Sequence, residues 1–117
     1  MTVIVRVDTN VSTSDVDEAF LIESTESLAN TFKISKSDIL IFVNADQPIL
    51  IAGSEKPAAV LTIYSTDGIN EVSNKLHSAT LFSLLTKYLK VNEDRISIAF
   101  SAVEPYSMGV NGKTFVQ

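Results

Sequence analysis

Two stretches of the chain carry the same order of hydrophobic segments at almost the same spacing, and this repeat constrains the fold more than any other feature. In the first, residues 3–8 read as a β-branched strand with Arg6 intervening, 14–31 as a helix, 38–44 as a nearly continuous apolar strand and 49–51 as a short one. Ser14 offers an N-cap, and Asp15, Asp17 and Glu18 suit the positive end of a helix dipole. Val16, Phe20, Leu21, Leu28, Ala29 and Phe32 then fall on one face. In the second stretch, 59–64 reads as strand, 70–89 as helix, 95–100 as strand and 106–110 as short strand. A shift of 57 residues without a gap sets Val3 on Val60, Thr9 on Thr66, Leu28 on Leu85, Lys33 on Lys90, Ile39 on Ile96 and Pro48 on Pro105. Residues 3–53 and 60–110 are therefore two copies of one unit inside a single domain spanning 1–117.

A strand–helix–strand crossover joins parallel strands with a right-handed turn. Two such units combine into an α/β (α+β) two-layer sandwich, a four-stranded mixed sheet with both helices on one face. The other face is then bare. Strands as apolar as 39–43 and 60–64 do not face water readily, so self-association through that face is expected.

Composition narrows the chemistry. No cysteine is present, which excludes disulfides, thiolate metal sites and cysteine nucleophiles. Net charge is −5, and the whole excess lies in residues 1–57, with Asp15, Asp17, Glu18, Glu23 and Glu26 along one helix. That balance opposes nucleic-acid backbones and anionic membranes. The apolar runs are too short for a membrane span, and no signal peptide precedes Val3, so a cytoplasmic location is expected.

Thr9-Asn10-Val11, Gly53-Ser54, Asp94-Arg95-Ile96 and the closing run Gly109-Val110-Asn111-Gly112-Lys113-Thr114-Phe115 resemble the macrophage migration inhibitory factor family, end to end and almost without gaps. The resemblance implies the tautomerase fold, three chains closing into a trimer, and non-classical secretion beside the cytoplasmic location. It also implies a pocket in which an amino-terminal proline acts as general base for keto–enol tautomerisation. The chemistry suits such an amine, which titrates near neutrality and can take and return a carbon-bound proton.

At the positions the resemblance assigns to that pocket, this sequence holds other residues. Val3 stands in the proline's place, behind Met1 and Thr2, so its nitrogen is an amide. The pocket lysine aligns with Ile34 beside Lys33, the tyrosine and asparagine of the later strand with Ser97 and Ala99, an isoleucine with Thr66 and an aromatic with Val110. The ligand-binding set is thus Val3, Lys33, Ile34, Thr66, Ser97, Ala99, Met108 and Val110, small and mostly apolar, with no catalytic residue, metal or cofactor. Residues 58–61 occupy the stretch of the family's paired-cysteine motif, which removes a thiol oxidoreductase role.

The reading is a homotrimeric pseudoenzyme that binds or signals in a cytokine-like manner, with a protein receptor or an active paralogue as further partner. Two alternatives stand beside it: a tautomerase of altered chemistry using Thr2 or Lys33, and an inactive subunit of a hetero-oligomer. His77, the only histidine, reads as a surface or helix-packing residue. Asp67-Gly68 and Asn111-Gly112 are turn signals. Asp46 falls in a loop used by the family for receptor contacts, with Thr13 in place of the usual arginine.

Overall fold

The computed structural model describes residues 1–115. Four strands, β1 (Val3–Thr9), β2 (Ile39–Asn44), β3 (Ala59–Ser65) and β4 (Ile96–Ala102), form one sheet in the order β2-β1-β3-β4. The outer pairs are parallel and the central pair β1–β3 is antiparallel. Helices α1 (Glu18–Phe32) and α2 (Glu71–Leu84) cover one face. Every second residue of β1, Val3, Val5, Val7 and Thr9, is fully buried beneath them, as are Ala59, Leu61, Ile63 and Ser65 of β3. Phe20, Leu28 and Phe32 of α1 and Leu81, Leu84 and Leu85 of the second helical segment fill the layer between. Each such side chain contributes about 1.5–3 kcal/mol when fully buried.

The opposite sheet face is open. Leu40 and Phe42 of β2 and Val60 of β3 are exposed there, around an Arg6–Asp8 ion pair of 2.9 Å whose carboxylate also accepts from Asn44 Nδ2 at 3.1 Å.

The repeat is built with a different register from the ungapped one. Val3 and Ala59 occupy equivalent places in the sheet, an offset of 56, because they pair with Ile39 and Ile96 in turn. Setting Val3 on Val60 would turn the inward side chains of the strand outward. The offset of 57 holds for the helix ends Lys33 and Lys90, both in the left-handed region with φ of 59° and 58°. Between these points, the second helical segment continues beyond Leu84 through a π turn, Leu85–Leu89. Such a turn accommodates an extra residue within a helix.

Three other boundaries differ from the sequence reading. The first helix starts at Glu18, with Asp17 Oδ1 accepting from the Ala19 N–H at 2.9 Å; Ser14 instead lies in the 3-10 turn Thr13–Asp15. Asp46 fixes that turn by accepting from the Thr13 N–H (3.1 Å) and hydroxyl (2.7 Å), a tertiary contact that local propensity does not encode. Residues 49–51 form no strand, only the isolated bridge Ile51–Ser54, since no other strand among the described residues lies beside them. Residues 106–110 are not one strand either: Pro105 opens the 3-10 turn Pro105–Ser107. The hairpin of β5 (Gly109–Val110) and β6 (Lys113–Thr114) follows, turning at Asn111 and Gly112, both with positive φ.

Three of the four motifs that carried the resemblance, those at 9–11, 53–54 and 94–96, meet at one loop. Asn10 Nδ2 donates to the carbonyls of Glu55 and Lys56, both at 3.0 Å, and its Oδ1 accepts from the Ala58 N–H at 2.8 Å. Thr9 Oγ1 donates to the Ala58 carbonyl at 2.7 Å. From the other side, Arg95 donates to the carbonyls of Ile51, Ser54, Lys56 and Pro57. Loop 51–58 has little core of its own, and these three side chains satisfy its backbone.

Candidate functional site

The expected pocket residues fall into two groups. Val3 opens β1 with its side chain fully buried toward the helices, paired with Ser65 of β3 and Ile39 of β2. Thr66 follows Ser65 and is half-buried, while Lys33 and Ile34 lie on the connection leading to Ile39. One end of the sheet thus gathers Val3, Thr66 and the α1 terminus. Ser97 and Ala99 project from the open face of β4, opposite Val60 and Thr62, on the other side of the sheet from the Val3 side chain. A single chain does not bring them to Val3. Met108 is buried after β4, and Val110 is exposed in the terminal hairpin.

Local chemistry decides which way the α1 terminus points. Lys33 adopts the left-handed conformation that closes a helix, and the Ile34 N–H returns to the Ala29 carbonyl at 3.0 Å. The chain reversal sends Ile34 onto the core and leaves Lys33 exposed. A one-residue slide that would place Lys33 inward would break this closure.

The Thr66 side of the site is tied down by His77. Its ring is fully buried, stacks on Phe32 at 3.8 Å with a 7° tilt, and lies 6.0 Å from Phe100. Nε2 donates to the Gly68 carbonyl at 2.9 Å, since that oxygen can only accept; Nδ1 meets Thr31 Oγ1 at 2.9 Å. One imidazole therefore links α2, the end of α1 and the turn after β3. Gly68, at φ +76°, presses on the same Phe32, and a Cβ there would sit 2.8 Å from its ring. The sequence marks His77 as a surface or helix-packing residue and Gly68 as part of a turn; the fold buries the ring and shows that both touch the same phenylalanine.

Surface cavities formed by the described residues at four places are lined by none of Val3, Lys33, Ile34, Thr66, Ser97, Ala99, Met108 or Val110. Among the described residues, no group of three His, Cys, Asp or Glu side chains could hold a metal ion, and no helix is long and apolar enough to cross a membrane. The Asp46 carboxyl is held below its ordinary range by the Thr13 hydroxyl and then by the Thr13 N–H. Asp46 is thus engaged within its own loop.

Two parallel β-α-β units fused through a central antiparallel strand pair, with both helices on one face, define a mixed-sheet, two-layer protein with internal twofold pseudosymmetry. The family model for macrophage migration inhibitory factor matches residues 2–116, and the chain belongs to that family. A macrophage migration inhibitory factor homolog of Trichinella spiralis is 35% identical over 112 residues, which are 96% of this chain and 98% of that one. The homolog of Brugia malayi is 33% identical over 109 residues, covering 93% and 95%. The solved structure of the Trichinella spiralis factor matches with a TM-score of 0.92 at 33% identity, over 96% of this chain and 99% of its own. A homologue from Prochlorococcus marinus shares the fold at 20% identity, with a TM-score of 0.90 over 97% and 99%.

Proposed function

We propose that this chain forms a homotrimer without keto–enol tautomerase activity and acts through the surface of that assembly, as a binding or cytokine-like signalling protein. Val3 carries the reading. Its nitrogen is a peptide amide with no lone pair available to take a carbon-bound proton, and its side chain is fully buried beneath the helices. The cation, phenol and amide that would hold a substrate's carboxylate and enolate oxygen are replaced with it: Ile34, not lysine, packs inward, and the shorter Ser97 and Ala99 stand for the tyrosine and asparagine.

The open sheet face supports the trimer. Exposed Leu40, Phe42 and Val60 make an apolar surface that a second copy would cover, and Ser97 and Ala99 lie on that same face. Partners beyond the trimer are a protein receptor or an active paralogue, and the location proposed is cytoplasmic, with secretion independent of a signal peptide. A tautomerisation assay on phenylpyruvate and dopachrome tests the first part, and measurable turnover would refute it. Light scattering coupled to size exclusion tests the second, where a stable monomer at micromolar concentration would sink the trimer.

A further inference from the structure

The internal twofold predicts a second site at the far end of the sheet. Because Val3 pairs with Ser65 and Ala59 with Thr9, the antiparallel pair β1–β3 looks the same from either end. The place of Val3 beside Thr66 and the Lys33 helix end is therefore matched, in the other unit, by Ala59 beside Asn10 and the Lys90 helix end. By the same offset of 56, Pro57 stands where Met1 stands in the first copy. At this second end there is a cavity of about 480 Å³, within the usual range for small-molecule sites.

Its lining is amphipathic. Val11, Pro57, Leu89 and the half-buried Tyr88 supply apolar and aromatic wall, while Asp15 and Lys90 bring one charge of each sign. The Lys90 ammonium donates to the Lys87 carbonyl at 2.7 Å, which uses one of its three N–H donors. Asn10 lines the cavity as well, but its amide is fully committed to loop 51–58 and serves as fixed wall. A simple carboxylate would pair with Lys90 yet face Asp15, and a simple amine the reverse. A compound bearing both charges leaves neither unmatched.

We propose that this cavity binds a small zwitterion with an apolar or aromatic body, its carboxylate on Lys90 and its ammonium on Asp15. The proposal is independent of whether the chain is a tautomerase, since none of these residues belongs to the Val3 site.

The test uses L-phenylalanine as probe, followed by amide chemical shifts of the labelled protein, with phenylpyruvate and phenethylamine as the anion-only and cation-only controls. Saturable shifts are expected at Val11, Asp15 and Lys90, with each control binding at least tenfold more weakly. Lys90→Asn keeps a residue tolerant of the left-handed conformation, and Asp15→Asn lies on an exposed turn, so both should fold. Each is expected to weaken L-phenylalanine at least tenfold. The absence of saturable binding, equal binding of phenylpyruvate, or shifts centred on Val3 and Thr66 would overturn the assignment.

Discussion

Replacing Arg95 by alanine removes the clip that holds loop 51–58 against the sheet. The guanidinium makes four hydrogen bonds to carbonyls, at 2.9 Å to Pro57, 3.3 Å to Ile51, 2.9 Å to Ser54 and 2.8 Å to Lys56. Charge-assisted bonds of this kind are each worth about 1.5–3 kcal/mol when buried. Arg95 is only half-buried, and water will take over part of the carbonyl hydration once the side chain is gone. The net loss is therefore about 2–3 kcal/mol rather than the sum. For a chain of this length that corresponds to a fall of about 8–12 °C in melting temperature. Arg95→Lys should fall between, because a single ammonium with three donors cannot span four carbonyls set around a planar fork. Thermal unfolding followed by circular dichroism, at one fixed protein concentration, measures the loss. Hydrogen exchange at Ala58, whose N–H is held by Asn10, reports whether the loop opens locally. A loss below about 0.5 kcal/mol for the alanine variant, the size of an ordinary surface change, would refute the reasoning.

Three further outcomes follow from single contacts. Gly68→Ala forces a side chain into positive φ and onto a phenylalanine ring pinned by His77, so it should cost more than about 1 kcal/mol in chemical denaturation; an unchanged midpoint would contradict the packing. The Asp46 carboxyl is lowered from 3.8 by Thr13, so its contribution is present above the unfolded value and is lost as pH falls through the lower folded one. A carbon-detected NMR titration should place its midpoint below 3.8, and Thr13→Val should raise it; no difference between the two proteins would remove the hydrogen bond from the account. Ser24 Oγ is buried in the core with no hydrogen-bond partner among the described residues, so Ser24→Ala should raise stability by up to about 1 kcal/mol, where a clear loss would reveal a partner.

Much of the architecture was legible because periodicity reports burial. The β-branched run at 3–8 and the spacing of Phe20, Leu28 and Phe32 mark the surfaces that meet. The start of α1 lies at Glu18 and not at Ser14 because Asp17 caps the helix and a remote Asp46 holds Thr13 in a 3-10 turn. Ile49, Leu50 and Ile51 do not make a strand without a neighbour to pair with, and Pro105 turns 105–107 into a 3-10 turn, so only Gly109 and Val110 of 106–110 pair as strand. At the site, the sequence shows which residue types stand at Val3, Ile34, Ser97 and Ala99. A lysine at a helix end is ordinarily solvated, and the left-handed conformation of Lys33 supplies the geometry that turns it outward.

The sequence by itself determined the repeated order of strand, helix and strand, the two-layer class and the family, because composition and period are properties of the chain. Tertiary structure alone decided the strand register of the two copies, which side of the sheet Ser97 and Ala99 occupy, and the single imidazole that joins both helices to the turn after β3. It also decided that the repeat leaves a cavity at the Lys90 end. Those outcomes depend on residues tens of positions apart meeting at ångström range, where a one-residue slip reverses which face a side chain shares.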